Sequence, residues 1–142
     1  MNVEAFESKP KILIVEDELE SQKYFELVLR KKFAVDLCDN KKSMYTFLSN
    51  QNYDVIVMDI SLKDGTNGVD LIRELKGNNA NENIPIICLS AHSFGEERLK
   101  AQEADADVYL SKPIKSQILI STIDELIVMS LDAKNQLKFH LS

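Results

Sequence analysis

Apolar residues in this chain come in short unbroken runs separated by longer amphipathic stretches. Ile12-Leu13-Ile14-Val15, Val55-Ile56-Val57-Met58, Ile86-Ile87-Cys88-Leu89 and Val108-Tyr109-Leu110 are the clearest runs. Runs of this length read as strands buried on both faces, and the segments between them carry helical spacing. The pattern predicts strands over Lys11–Val15, Phe33–Cys38, Val55–Met58, Ile84–Leu89 and Val108–Leu110. It predicts helices over Leu19–Lys32, Lys41–Ser49, Val69–Lys76, Gly95–Glu103 and Ser116–Ser130. Leu19, Tyr24, Leu27 and Val28 are the expected inward residues of the first helix. Phe33, Val35 and Leu37 alternate with Ala34, Asp36 and Cys38, as in a half-exposed edge strand. The wholly apolar third strand, Val55–Met58, is expected to be central, and Pro85 is tolerated only near the start of the fourth. Strand and helix alternate throughout, which implies an α/β fold of (βα)5 type: a parallel sheet with crossover helices.

Residues 1–10 lack periodicity and read as an N-terminal arm. Residues 11–130 form the domain, and residues 131–142 a C-terminal tail. A chain of 142 residues suits one core. With 44% hydrophobic and 28% charged residues the balance is that of a folded soluble domain. No run approaches the roughly 20 apolar residues of a membrane helix, and no secretory signal is evident. Cys38 and Cys88 sit in apolar runs and read as core thiols. Reduced thiols fit a cytoplasmic protein. The formal charge of −6 disfavours unspecific contact with nucleic acid.

Chemistry-bearing residues lie just past the ends of these runs. Glu16 and Asp17 follow the first strand, Asp59 the third and Ser90 the fourth, and Lys112 lies shortly past the fifth. In a parallel sheet they gather at its carboxyl edge, where open α/β sheets hold ligands. Mg2+ takes one or two carboxylates together with waters and phosphate oxygens. Asp17 and Asp59 are candidate direct ligands, Glu16 a direct or water-mediated one, and the Ser61 carbonyl a further oxygen. Taken alone, Glu16-Asp17-Glu18 is equally a helix N-cap, which leaves Asp59 unexplained. A carboxylate such as Asp59 can accept a phosphoryl group. Lys112 can neutralise charge on that group, and Ser90 can donate a hydrogen bond to it. His92 reads as a solvent-facing loop residue.

Val15-Glu16-Asp17-Glu18, Val57-Met58-Asp59, Leu89-Ser90-Ala91 and Tyr109-Leu110-Ser111-Lys112-Pro113 together resemble the receiver domain of bacterial response regulators, in order and spacing over roughly residues 10 to 130. The resemblance implies a doubly wound, flavodoxin-like sheet with strand order 2-1-3-4-5. It implies phosphorylation of Asp59 by a histidine kinase or histidine phosphotransfer protein in a two-component phosphorelay, with Mg2+ as cofactor. It also implies Ser90 and Tyr109 as switch residues and a cis Lys112–Pro113 bond that aims the lysine at Asp59. No enzymatic activity beyond self-phosphorylation and autodephosphorylation is expected. Glu16 departs from the commoner Asp and Ser90 from the commoner Thr. The loop after Asp59 lacks the usual proline and is longer than the common form.

An Asp-nucleophile phosphatase would carry a second Asp where Ser61 stands. A flavin carrier would need a phosphate-cradling loop where Glu16-Asp17-Glu18 stands. A receiver fragment of a larger hybrid histidine kinase is the remaining alternative. The output is expected to be a protein–protein contact through the fourth helix, fifth strand and fifth helix. On a helical wheel Ile118, Leu119, Ile120, Ile123, Leu126, Ile127, Met129 and Leu131 span about 220°, more than one core needs. The surplus is expected to be covered by a second subunit, making a homodimer, or by the tail with Leu137, Phe139 and Leu141 folding back.

Overall fold

The computed structural model describes residues 8–60, 62, 67–91 and 104–141, with side chains as far as residue 133. Its strands are β1 (Lys11–Val15), β2 (Ala34–Cys38), β3 (Val55–Asp59), β4 (Ile86–Ser90) and β5 (Val108–Ser111). Its helices among the described residues are α1 (Leu19–Leu29), α2 (Lys41–Asn50), α3 (Gly68–Lys76) and α4 (Ser116–Leu141). The helix expected over Gly95–Glu103 and the loop residue His92 lie outside the described residues, so α4 is the fifth helix of the expected series.

The strands are all parallel and lie in the order β2-β1-β3-β4-β5. Strand residues point alternately to opposite faces, so the sheet divides the core into two layers. Leu13, Val15, Ile56, Met58, Ile86 and Cys88 pack with α2 and α3 residues such as Met44, Ile72 and Leu75. Ile12, Ile14, Val55, Val57, Ile87 and Leu89 pack with Phe25 and Leu29 of α1 and with Leu119, Ile123 and Leu126 of α4. β3 and β4 are buried along their whole length. β2 is an edge strand with mostly half-buried residues, as its alternation predicts.

Two helices differ from expectation. The inward face of α1 is Phe25 and Leu29, with Val28 partly buried, whereas Leu19, Tyr24 and Leu27 are exposed. The apolar residues of that helix outnumber the positions its face on the sheet can cover, and position rather than hydrophobicity decided which went in. Tyr24 uses its hydroxyl instead, donating to the Ile114 carbonyl at 3.1 Å. α4 does not stop near Ser130. It continues through Leu141, 26 residues in all, or about 39 Å at the usual rise. Residues 131–141 therefore extend the helix axis and do not fold back across it. Ile118, Val128, Met129 and Leu131 remain exposed along it. Among the described residues no helix is long and apolar enough to cross a membrane.

Asn67-Gly68, a dipeptide of the kind that commonly marks a turn, is here the start of α3. Asn67 caps α3 by accepting from Val69 N–H. Gly68 lies against the chain just past β3: a Cβ there would stand 2.4 Å from Ile60 Cα and 2.7 Å from the Asp59 carbonyl oxygen. Both are backbone atoms, which cannot swing aside as a side-chain tip can. Gly68→Ala should therefore lower the unfolding free energy by about 1–3 kcal/mol or more, as overpacking does. Urea unfolding followed by circular dichroism measures this, and an unchanged midpoint would refute the close approach.

Candidate functional site

The backbone hydrogen-bond ladder runs past the end of each strand and fixes the residues that follow. Glu16 N–H donates to the Cys38 carbonyl at 2.9 Å, Ile60 N–H to Leu89 at 3.0 Å and Lys112 N–H to Ser90 at 2.7 Å. Asp59 is the last residue of β3 and Ser90 the last of β4. Lys112 directly follows β5 and precedes a cis peptide bond to Pro113. The carboxyl edge thus brings together Glu16, Asp17, Asp59, Ser90 and Lys112. Glu16 and Ser90 have no exposed surface and Asp59 very little. Tyr109 is half-buried on β5 and packs against the α2–α3 layer. Ser61 lies outside the described residues.

Carboxylate oxygens of Glu16, Asp17 and Asp59 all lie within 4.8 Å of one another. Lys112 Nζ stands 2.6 Å from Glu16 Oε1 and 3.3 Å from Asp59 Oδ2. The lysine therefore reaches Asp59 as expected, but its shorter contact is with Glu16. The capping alternative is not borne out for the Glu18 side chain, though Glu16 Oε2 accepts from Glu18 N–H at 3.3 Å. Glu18 occupies the N-cap position of α1, yet its side chain makes no cap bond.

Burial, and then hydrogen bonding and repulsion from Asp59, push the Glu16 carboxyl from 4.5 up to about 7, against the opposing pull of Lys112. Burial alone would lower the Lys112 ammonium. The hydrogen bond to Glu16 and the charge of Asp59 outweigh it and raise its pKa. The ammonium therefore stays charged through the neutral range. Crowded carboxylates sharing a lysine are also a demand for a further cation, and an oxygen-rich set of this kind matches Mg2+.

A cleft of about 500 Å3 opens beside these groups, lined by residues that include Glu18, Tyr24, Ala91, Lys112 and Pro113. A wider surface groove over α2, lined by Lys41, Lys42 and Tyr45 among others, contains none of the clustered acids. Cys38 and Cys88 are buried and form no disulfide, and burial pushes the Cys38 thiol up to about 12. Both fit the expectation of inert core residues.

Residues 12–124 match the family model described as the response regulator receiver domain. The chain is 39% identical over 118 residues to the transcriptional regulatory protein CusR of Escherichia coli K12, covering 82% of this chain and 51% of that protein. It is 31% identical over 122 residues to hybrid signal transduction histidine kinase I of Dictyostelium discoideum, covering 80% of this chain and 7% of that protein. The chain thus spans about half the length of the regulator and a small part of the kinase. Among solved structures it resembles the receiver domain of a sensor histidine kinase from Pseudomonas aeruginosa PAO1, described with a magnesium ion coordinated in its active-site cleft. That match has a TM-score of 0.77 at 29% identity over 84% of this chain and 98% of the other. A CheY-like receiver domain protein from Methanospirillum hungatei has a TM-score of 0.81 at 20% identity over 89% and 99% of the two chains, a likeness of fold.

The raised Glu16 carboxyl makes a pH prediction with a definite sign. Below pH 4.5 Glu16 is protonated in both folded and unfolded chains and contributes nothing. Between 4.5 and about 7 the unfolded chain releases the proton while the folded one keeps it, so stability falls as pH rises. The loss should be on the order of a few kcal/mol and complete above the folded value. Urea unfolding in EDTA from pH 4.5 to 8 should show this decline in the wild type and a shallower one in Glu16→Gln. Equal slopes would contradict it.

Proposed function

This chain belongs to the response regulator receiver family, and from that membership we propose that it is a phospho-accepting receiver of a two-component phosphorelay, with Asp59 as the acceptor. The observation that carries the reading is the Asp59 carboxylate, buried at the end of the central strand between an acidic pair and the Lys112 ammonium. The donor is a phosphohistidine on a histidine kinase or histidine phosphotransfer protein. Relatives of two kinds, a transcriptional regulatory protein and a hybrid histidine kinase, share this domain.

An Asp59 oxygen donates an electron pair to phosphorus. The bond from phosphorus to the donor's imidazole nitrogen breaks, and its electron pair leaves with that nitrogen. The product is an aspartyl-phosphate. Such transfers depend mainly on positioning and charge neutralisation. The β3 backbone positions Asp59, and Gly68 leaves room for its carbonyl oxygen. Lys112 covers one phosphoryl oxygen, and the Ser90 hydroxyl donates to another. Asp17 and Asp59 offer carboxylate oxygens to Mg2+, and Glu16 offers a third carboxyl group, directly or through water. Bound there, the ion neutralises phosphoryl charge. The only chemistry proposed for the chain is this self-phosphorylation and the later hydrolysis of the acyl phosphate.

Signalling follows from a shift between two pre-existing states, in which Ser90 engages the phosphoryl group and Tyr109 moves into the vacated space. Output runs through protein contacts on the β5–α4 side, where Ile118, Val128, Met129 and Leu131 lie exposed. A homodimer is the first such contact to test.

Incubation with acetyl phosphate and Mg2+ should add one labile phosphoryl group, seen by intact-protein mass spectrometry. Asp59→Ala should abolish it, and EDTA should prevent it. Ser90→Ala should still accept phosphate but lose most of the accompanying amide shifts in nuclear magnetic resonance spectra. Light scattering on the same wild-type samples should show pairing. A stable adduct mapped to another residue would sink the acceptor assignment, and a strict monomer in both states the dimer.

A further inference from the structure

We infer that Asp107, at the amino edge of the sheet, is a positioning residue for the site at the carboxyl edge. Its carboxylate, backed by Lys76, fixes the register of β5 and through it the place of Lys112. The consequence for phosphoryl transfer rests on the phospho-acceptor reading; the register does not. Asp107 N–H donates to the Ile86 carbonyl at 2.9 Å, and Asp107 Oδ2 accepts from Ile86 N–H at 2.7 Å. One residue thus engages both backbone groups of Ile86, the first residue of β4. The same Oδ2 accepts from Lys76 Nζ at 2.9 Å, and Lys76 also donates to the Ile84 carbonyl at 3.1 Å. The Lys76 side chain is mostly buried, so this pair differs from the exposed ion pairs that contribute little.

β5 has need of such a pin. It is an edge strand of 4 residues, all half-buried, and it pairs with β4 on one side. The chain enters it just after Asp105, which has a left-handed φ of 70°. Hydrophobic pattern sets register firmly only where one face is buried, and half-buried Val108, Tyr109 and Leu110 discriminate weakly. A slip of one residue would send Tyr109 and Lys112 to the opposite faces. A slip of two would keep the faces but carry Lys112 roughly 7 Å along the sheet, out of reach of the Asp59 oxygen now 3.3 Å away. Asp107 opposes both slips, because its amide and its carboxylate must meet the same residue, Ile86. Lys76 ties this pin to the acceptor strand. α3 begins at Gly68, against Ile60 and the Asp59 carbonyl, and ends at Lys76. One helix therefore joins the exit of β3 to the entry of β5.

Residue-resolved hydrogen exchange on the full chain reads the register without phosphoryl transfer. The amides to follow are those of Lys112, bonded to Ser90, and of Glu16 and Ile60, bonded to Cys38 and Leu89. Asp107→Ala should speed exchange at Lys112 by roughly tenfold more than at the other two, the worth of one charge-assisted hydrogen bond. Asp107→Asn keeps an acceptor for Ile86 N–H and should restore most of that protection, and Lys76→Met should lose part of it. Ile12→Val, a core truncation on β1, should loosen all three amides alike. Labelling by acetyl phosphate should slow in Asp107→Ala, recover in Asp107→Asn and stay unchanged in Ile12→Val. Uniform exchange changes in Asp107→Ala would overturn the inference, as would unslowed labelling beside a loosened Lys112. Should Asp107→Ala fail to fold, uniform changes in Lys76→Met would overturn it in the same way. Selective loosening of Lys112 in a protein whose wild type takes up no phosphoryl group would uphold the register and remove the acceptor assignment.

Discussion

Three carboxylates held within 4.8 Å of one another are the constraint around which this protein is organised. Left to themselves they would repel, and two of them are buried besides. Lys112 offsets part of that cost from the far side of the sheet, through contacts of 2.6 Å and 3.3 Å. The offset is incomplete. Burial first, and then Asp59, push the Glu16 carboxyl up to about 7 against the pull of Lys112, so burial and crowding together exceed the internal compensation. A divalent cation and then a phosphoryl group are the chemistry that such an imbalance accommodates.

The rest of the fold makes this arrangement possible. Side-chain alternation in five parallel strands buries two separate apolar layers, leaving β3 and β4 wholly interior. The ladder bonds that run past β1, β3 and β5 hold the residues after each strand nearly as firmly as the strands themselves. Asp107 does a similar service at the other edge, where its carboxylate accepts from Ile86 N–H at 2.7 Å and from Lys76 at 2.9 Å.

Much of this was legible in the sequence. Four apolar runs and one alternating segment marked the strands, and each chemistry-bearing residue stood at or shortly after the end of a run. Less legible was whatever depends on contacts across long sequence distance. Lys112 and Glu16 are 96 residues apart, and nothing local to either reveals that they meet. Gly68 reads as a turn residue beside Asn67, while its actual demand is for space against Ile60. The α1 face was misjudged because Leu19 and Leu27 are as apolar as Leu29, and only tertiary packing tells them apart. The run of α4 to Leu141 was missed because the polar residues after Leu131 weaken the apolar periodicity without breaking the helix.

The central claim is that Asp59, Lys112 and Ser90 together surround a phosphoryl group beside a divalent ion. Fluorine-19 resonance of the chain with beryllofluoride and Mg2+ tests it most directly, because this mimic reports on the bound geometry without turnover. The account predicts resolved bound-fluoride signals that require Mg2+, vanish in Asp59→Asn and move in both Lys112→Ala and Ser90→Ala. Bound signals that persist in Asp59→Asn, or that ignore both neighbouring substitutions, would contradict it.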